Sequence, residues 1–270
     1  VGPNGAGKTT TIECIEGLKR PDGGRVRTLG LDPWAAAREL HERIGIQLQE
    51  TALPLRLRVG EALRLFASFY ERSIDLEPLL DRLGLDDKLD SAYGTLSGGE
   101  RQRLFIALAL IHDPEIVFLD ELTTGLDPHA RRGMWELVES IRERGKTVFL
   151  TTHFMEEAER LCDRVAILDH GALVALDSPT ALIRSLDRDR RLVLSVAGDV
   201  DIEAIRALGA VRAADLRDDE LVVSGDDGAL TGELVQALTS NGIEIRELTT
   251  VRGTLEDVFL DLTGREAMPE

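Results

Sequence analysis

The residues best suited to chemistry open the chain. Gly2-Pro3-Asn4-Gly5-Ala6-Gly7-Lys8-Thr9, with Thr10 behind it, fits the spacing G-x-x-x-x-G-K-[ST]. Glycines let successive backbone N–H groups turn inward around phosphate oxygens, and a helix starting near Lys8 aims its positive end at the same point. Lys8 adds a compact point charge where an arginine fork is too broad, and Thr9 offers a hydroxyl to Mg²⁺. Lysine is rare here: only Lys8, Lys19, Lys88 and Lys146 stand among the 32 basic residues. A second anion-directed helix start is Leu96-Ser97-Gly98-Gly99-Glu100, in which Ser97 can cap the helix and the glycines expose backbone N–H groups. Asp120 and Glu121 end an apolar run beginning at Glu115, and His153 ends another that leads from Thr147 through Thr151 and Thr152. Neighbouring carboxylates beside a phosphate loop have a cation and a proton to manage: Asp120 suits Mg²⁺, and Glu121 suits general-base work on a water attacking a γ-phosphate. The blander reading of each feature is a capped helix, a solvated pair of acids and a satisfied polar histidine.

These groups need a parallel sheet to carry them. Glu115–Asp120 and Thr147–Leu150 read as buried parallel strands that deliver polar residues at their C-terminal edge, beside the phosphate loop. The loop itself should follow a strand, yet only Val1 precedes it. The expectation is an N-terminally incomplete chain that lacks the strand feeding the loop. Between Arg58 and Ile111 the apolar residues Leu63, Phe66, Ala67 and Tyr70 recur at helical spacing, and Gly84 and Gly94 punctuate the stretch. Phe66, Phe69 and Tyr70 are read as core.

Taken together and in this order, the motifs resemble the ABC ATPase family from Gly2 to about Leu168. The resemblance names Gly2–Thr9 as the Walker A loop, with Thr10 beside it, 96–100 as the signature, Glu115–Glu121 as the Walker B strand, Asp127 of Thr123–Pro128 as the D-loop aspartate, and His153 as the switch histidine. It implies that Gln49, rather than Gln47, touches Mg²⁺ or water, and that Thr9, Gln49 and Asp120 surround the metal with Glu121, His153 and Gln49 at the reacting phosphate. It further implies a head-to-tail dimer, as a homodimer or with a paired ATPase subunit. There Ser97, Gly98, Gly99 and Glu100 of one subunit close on ATP held by the other, and Asp127 reaches toward the partner. A separate integral-membrane permease would hold the chain at the cytoplasmic face of the cell membrane, its coupling helix in the groove after Gln49. Two departures stand out. Leu122 replaces the proline that usually follows the catalytic glutamate, which is expected to loosen the turn. The adenine-stacking aromatic of the family would lie upstream of Val1.

Past the charged stretch Asp187–Arg190 the pattern changes. Leu192, Leu194 and Val196 alternate as a strand, Ile202–Leu208 suits a helix, and Val211–Leu216 with Leu221–Ser224 reads as a hairpin. Leu230, Leu234, Val235 and Leu238 share a helical face before a strand from Ile243 to Leu248. A final helix runs from Thr254 to Gly264, with Leu255, Val258, Phe259 and Leu262 as one apolar stripe. The expected fold is therefore α/β. A P-loop NTPase core of the ABC ATPase kind occupies 1–187, with a helical subdomain at about 58–111, and a small α+β domain with the ferredoxin-like order βαββαβ occupies 190–264. The ending of the chain is similar to the tail of ATP-binding subunits of daunorubicin-resistance-type exporters, which implies a motor for drug or antibiotic export.

Composition narrows the classes further. With 49 acidic residues the net charge is −17, which argues against a nucleic-acid partner. The longest apolar run, Leu104–Ile111, falls far short of the roughly 18 residues that cross a bilayer. Two cysteines cannot build a disulfide framework, and a reducing cytoplasm is the expected compartment. Chromosome and repair relatives would carry a long coiled coil between Lys8 and Ser97, and translation-factor relatives a second cassette; neither is visible. A regulatory module without turnover and the motor of an importer remain competing readings.

Overall fold

The apolar run before Asp120 folds into the central strand of a parallel sheet. The computed structural model describes residues 1–47, 52–186, 190–198, 200–217, 219–225, 229–251 and 253–264. They fall into two compact units, Val1–Leu176 and Asp177–Glu270.

In the first unit, α1 (Lys8–Glu16) leaves the glycine-rich loop, and α2 (Ala37–His41) precedes β1 (Ile44–Gln47). An all-helical stretch follows: α3 (Val59–Ala67), α4 (Glu77–Leu83) and α5 (Gly98–Leu110). The chain then alternates β2 (Ile116–Asp120), α6 (Pro128–Glu143), β3 (Thr147–Thr151), α7 (Met155–Leu161), β4 (Val165–Asp169) and β5 (Ala172–Asp177). Strands β1, β2 and β3 form a parallel sheet in that order, Ile44 facing Ile116 and Asp120 facing Thr151. β4 and β5 pair separately. The run Leu104–Leu110 is buried on every side of α5, because α5 packs on α3, α4 and β1 at once. That accounts for a continuously apolar helix without a membrane. Among the described residues no helix is long and apolar enough to cross one.

α5 lies so close to the sheet that a Cβ on Gly45 would come 2.0 Å from the Ala109 carbonyl oxygen. Only glycine permits this approach of helix backbone to strand. Of the three aromatics read as core, Phe66 and Tyr70 pack against the main core and Phe69 does not. Phe66 packs edge-on to Phe69, which is 64% exposed, and Tyr70 stacks flat on the His112 ring at 3.8 Å. Leu122, expected to loosen its turn, is 3% exposed and packed into the main core, so the turn is anchored by apolar burial in place of a proline ring.

The second unit begins with α8 (Pro179–Ser185) and continues β6 (Arg190–Ala197), α9 (Ile202–Arg206), β7 (Val211–Arg217), β8 (Glu220–Gly225), α10 (Leu230–Ser240), β9 (Glu244–Val251) and α11 (Leu255–Thr263). Its antiparallel sheet has the order β7-β8-β6-β9. The βαββαβ sequence of elements thus takes the ferredoxin-like arrangement. Leu192, Leu194 and Val196 of β6 bury against Leu230, Leu234 and Leu238 of α10. α11 is closed at its start by a capping box between Thr254 and Asp257. It packs on α8, with Leu255 and Val258 buried and Leu262 43% exposed. The division at Leu176/Asp177 falls about ten residues before the charged stretch suggested by the sequence, because α8 belongs with α11.

Candidate nucleotide site

The loop before α1 has the form its glycines require. Gly2 is buried, and a Cβ there would lie 2.3 Å from the Leu168 carbonyl oxygen of β4. Val1 runs beside the same strand, its carbonyl accepting from the Leu168 N–H. Gly7 caps α1 in the left-handed region at φ 96°, and no acidic residue occupies the first turn to neutralise the helix end. Ala6 N–H donates to the Pro3 carbonyl, and the Ala6 carbonyl accepts from Gly171 N–H, so the loop is fastened on both sides. Asn4, Gly5, Thr9 and Thr10 are exposed. Lys8 is buried with its Nζ donating to the Gly2 and Pro3 carbonyls at 2.7 and 3.2 Å. Burial lowers its pKa, while Glu121 and Asp120 pull the other way. Charge on Lys8 is therefore costly without an anion, and the carboxylates of β2 lie within its electrostatic reach.

At the end of β2 the buried Asp120 accepts a hydrogen bond from the Thr151 hydroxyl of β3. The same hydroxyl accepts from the Glu121 N–H at 3.2 Å, and the Thr151 carbonyl accepts from it at 3.1 Å. Glu121 itself sits at φ 48°, a left-handed conformation unusual for a non-glycine residue and held here by those two bonds. Its side chain is 11% exposed, with Oε1 3.7 Å from His153 Nδ1 and Oε2 3.4 Å from the Thr124 hydroxyl. Lys8, Asp120, Glu121 and His153 thus gather at one edge of the sheet.

Other predicted residues stand apart. Ser97 closes α5 with a reciprocal cap: Glu100 N–H donates to Ser97 Oγ at 3.3 Å, and Ser97 N–H donates to Glu100 Oε2 at 2.8 Å. That backbone bond, with Lys88 Nζ at 3.5 Å, holds the Glu100 carboxyl below the usual range. Gly98 is exposed and Gly99 half-buried, which leaves this helix start open toward solvent. Asp127 is exposed and caps α6, accepting from His129 and Ala130 N–H groups at 2.9 Å each. Gln49 lies outside the described residues, whereas Gln47 is buried on β1. Among the described residues no group of three His, Cys, Asp or Glu side chains converges as a metal cage. The donors present, the Thr9 hydroxyl and the Asp120 carboxylate, are the hard oxygen set that Mg²⁺ takes in ones and twos beside phosphates and water.

Sequence reasoning gave no role to Thr151, although its place at the end of a strand parallel to Glu115–Asp120 was the available signal. Glu16 was missed as well. It is 2% exposed on α1 with one carboxyl oxygen lacking a hydrogen-bond partner among the described residues, and burial, with Asp120 and Glu13 adding to it, pushes its pKa up to about 8. A charged residue at the end of a largely polar helix gives no such warning in a linear sequence.

A family model described as "ABC transporter" matches residues 1–124. The Nod factor export ATP-binding protein I of Burkholderia lata is 39% identical over 280 residues, covering 98% of this chain and 87% of that protein. The protein of the same name from Rhizobium sp. (strain N33) is 39% identical over 272 residues with the same coverage of both chains. Among solved structures, an ATP-binding subunit of an ABC transporter matches with TM-score 0.63 at 31% identity, covering 69% of this chain and 80% of that one. A dimeric ATP-binding cassette in a post-hydrolysis state, bound to ADP and Pi, matches with TM-score 0.58 at 28% identity, covering 66% and 82%. With a glycine loop, a carboxylate-ended strand and a capped signature helix in the family's order, the chain belongs to the ABC transporter family and is an ATP-binding, ATP-hydrolysing subunit.

Proposed function

We propose that this chain is the motor of a membrane exporter, in which ATP binding joins two ATPase subunits and hydrolysis releases them. The reading rests above all on Asp120 and Glu121 lying within electrostatic reach of Lys8, with His153 3.7 Å from Glu121. The N–H groups of Gly5, Gly7, Lys8 and Thr9 and the ammonium of Lys8 bind the β- and γ-phosphates, Lys8 exchanging its loop carbonyls for phosphate oxygens. Thr9 and Asp120 would hold Mg²⁺, a role the family resemblance extends to Gln49, and the bound ion would neutralise phosphate charge. Glu121 takes the proton of the attacking water as that oxygen bonds to the γ-phosphorus and the bond to ADP breaks. His153 orients the water or the γ-phosphate. The open start of α5 at Ser97–Glu100 supplies the second anion site to nucleotide held by the opposite subunit, with Asp127 at the seam.

Export, rather than import, is supported by the names of the relatives and by the C-terminal helix at 254–264, whose sequence resembles the tail of drug and antibiotic exporters. The permease is a separate integral-membrane chain, and it holds this subunit at the cytoplasmic face. The cargo we place among drugs or antibiotics; the relatives' names make Nod factors the alternative. The test is transport into inverted membrane vesicles that carry the chain with its co-purifying permease. ATP-dependent uptake of a drug such as an anthracycline, lost in Glu121→Gln, is the expected result. Uptake of Nod factor alone would reassign the cargo, and substrate movement only in the inward cellular direction would overturn export.

A further inference from the structure

His153 is placed beside Glu121 by something other than Glu121. Their 3.7 Å separation is too long for a firm hydrogen bond, and the imidazole is 37% exposed on a bend after β3. An exposed side chain with two free torsions does not keep one orientation unless neighbours fix it. The neighbours are aromatic and cationic. The Phe154 ring lies 4.1 Å from the His153 ring at 39°, and the Arg131 guanidinium carbon lies 4.3 Å from the Phe154 ring centroid. Phe154 is pinned through its own backbone, its N–H donating to Thr152 Oγ1 at 2.9 Å. Arg131 belongs to the first turn of α6, its N–H donating to the carbonyl of the capping residue Asp127. Its buried Nε finds no hydrogen-bond acceptor among the described residues. The guanidinium lies over the ring face, a position for which its flat, weakly hydrated cation is better suited than an ammonium.

We infer that Phe154 and Arg131 are positioning residues for His153: the guanidinium, phenyl and imidazole groups in series fix the imidazole beside Glu121 and tie it to the capped first turn of α6. Neither residue touches the reacting atoms. The inference rests on the reading of His153 as a residue of the hydrolytic site. It adds a physical link from Asp127, through one helical turn, to that histidine. A shift of the α6 start caused by a partner at Asp127 would be felt at His153 through this stack.

The test is steady-state ATP hydrolysis by the full chain carrying Phe154→Leu, Phe154→Tyr, Arg131→Ala, Arg131→Lys and His153→Ala, with thermal midpoints measured alongside. Phe154→Leu and Arg131→Ala should each lower kcat about tenfold with KM for ATP within about twofold, as expected when geometry rather than ground-state binding is lost. Phe154→Tyr, which keeps the ring, should retain most turnover, and Arg131→Lys should fall between. Adding Phe154→Leu to His153→Ala should lower kcat no further, because the stack acts only through the imidazole. Equal losses from the two changes in a multiplying double variant, or full turnover in Phe154→Leu and Arg131→Ala, would overturn the inference. Full turnover in His153→Ala would instead remove the reading beneath it, so the two failures are distinguishable.

Discussion

Thr151 holds both carboxylate residues of the neighbouring strand. Its hydroxyl donates to Asp120 and accepts from the Glu121 N–H, and its carbonyl accepts from the same N–H. The parallel register that sets Thr151 opposite Asp120 makes this possible. One hydroxyl thereby orients the buried acid and helps keep Glu121 in its left-handed conformation. Thr151→Val preserves shape and removes the hydroxyl, so Asp120 loses a partner while buried. Denaturant unfolding should show a loss of about 1–3 kcal/mol, and ATP turnover should fall with it. Thr151→Ser should restore most of both.

The contact between Gly45 and α5 gives a prediction about the fold alone. A methyl group 2.0 Å from the Ala109 carbonyl oxygen must displace backbone, not a flexible side chain. Gly45→Ala should destabilise the first unit by on the order of 3 kcal/mol, read as a lower midpoint in urea with little change in slope. Gly98→Ala is the control, since a Cβ there meets nothing within 4 Å. Its stability should stay close to that of the parent, whatever happens to turnover.

Glu16 makes stability depend on pH. Its pKa is pushed from 4.5 up to about 8 by burial. Between those values the folded chain holds a proton that the unfolded chain has released, so stability falls as pH rises. The contribution is fully present below 4.5 and is lost as pH passes about 8. Glu16→Gln cannot lose a proton. Its stability advantage should therefore be near zero around pH 4.5 and grow to a few kcal/mol above pH 8. Parallel pH profiles with no growing gap would show that the carboxyl does not carry this penalty.

What the sequence made legible followed from local rules. The phosphate loop, the Ser97 cap, the carboxylate-ended strand and the βαββαβ order each depend on a few consecutive residues, on a two-residue or helical period, or on a cap. What escaped depends on packing between distant segments. The side to which α8 belongs is decided by α11, some seventy residues later. Leu122 reads as a missing proline until the core that buries it is seen. Thr151, Glu16 and the Arg131–Phe154 pair gain their roles only when β2, β3, α1 and α6 meet. No period or spacing in the chain encodes those meetings.

Release of phosphate from Mg-ATP by the purified chain, compared with Lys8→Ala and Glu121→Gln, shows whether these residues form the hydrolytic centre. The parent should hydrolyse ATP. Lys8→Ala should lose binding of the nucleotide itself, because the charge facing the phosphates is gone. Glu121→Gln should bind ATP as the parent does, accumulate as a nucleotide-bound dimer and turn over at least about a hundredfold more slowly, since only the proton acceptor is removed. A Glu121→Gln protein that hydrolysed ATP at the parental rate would contradict the assignment of these residues as the hydrolytic centre.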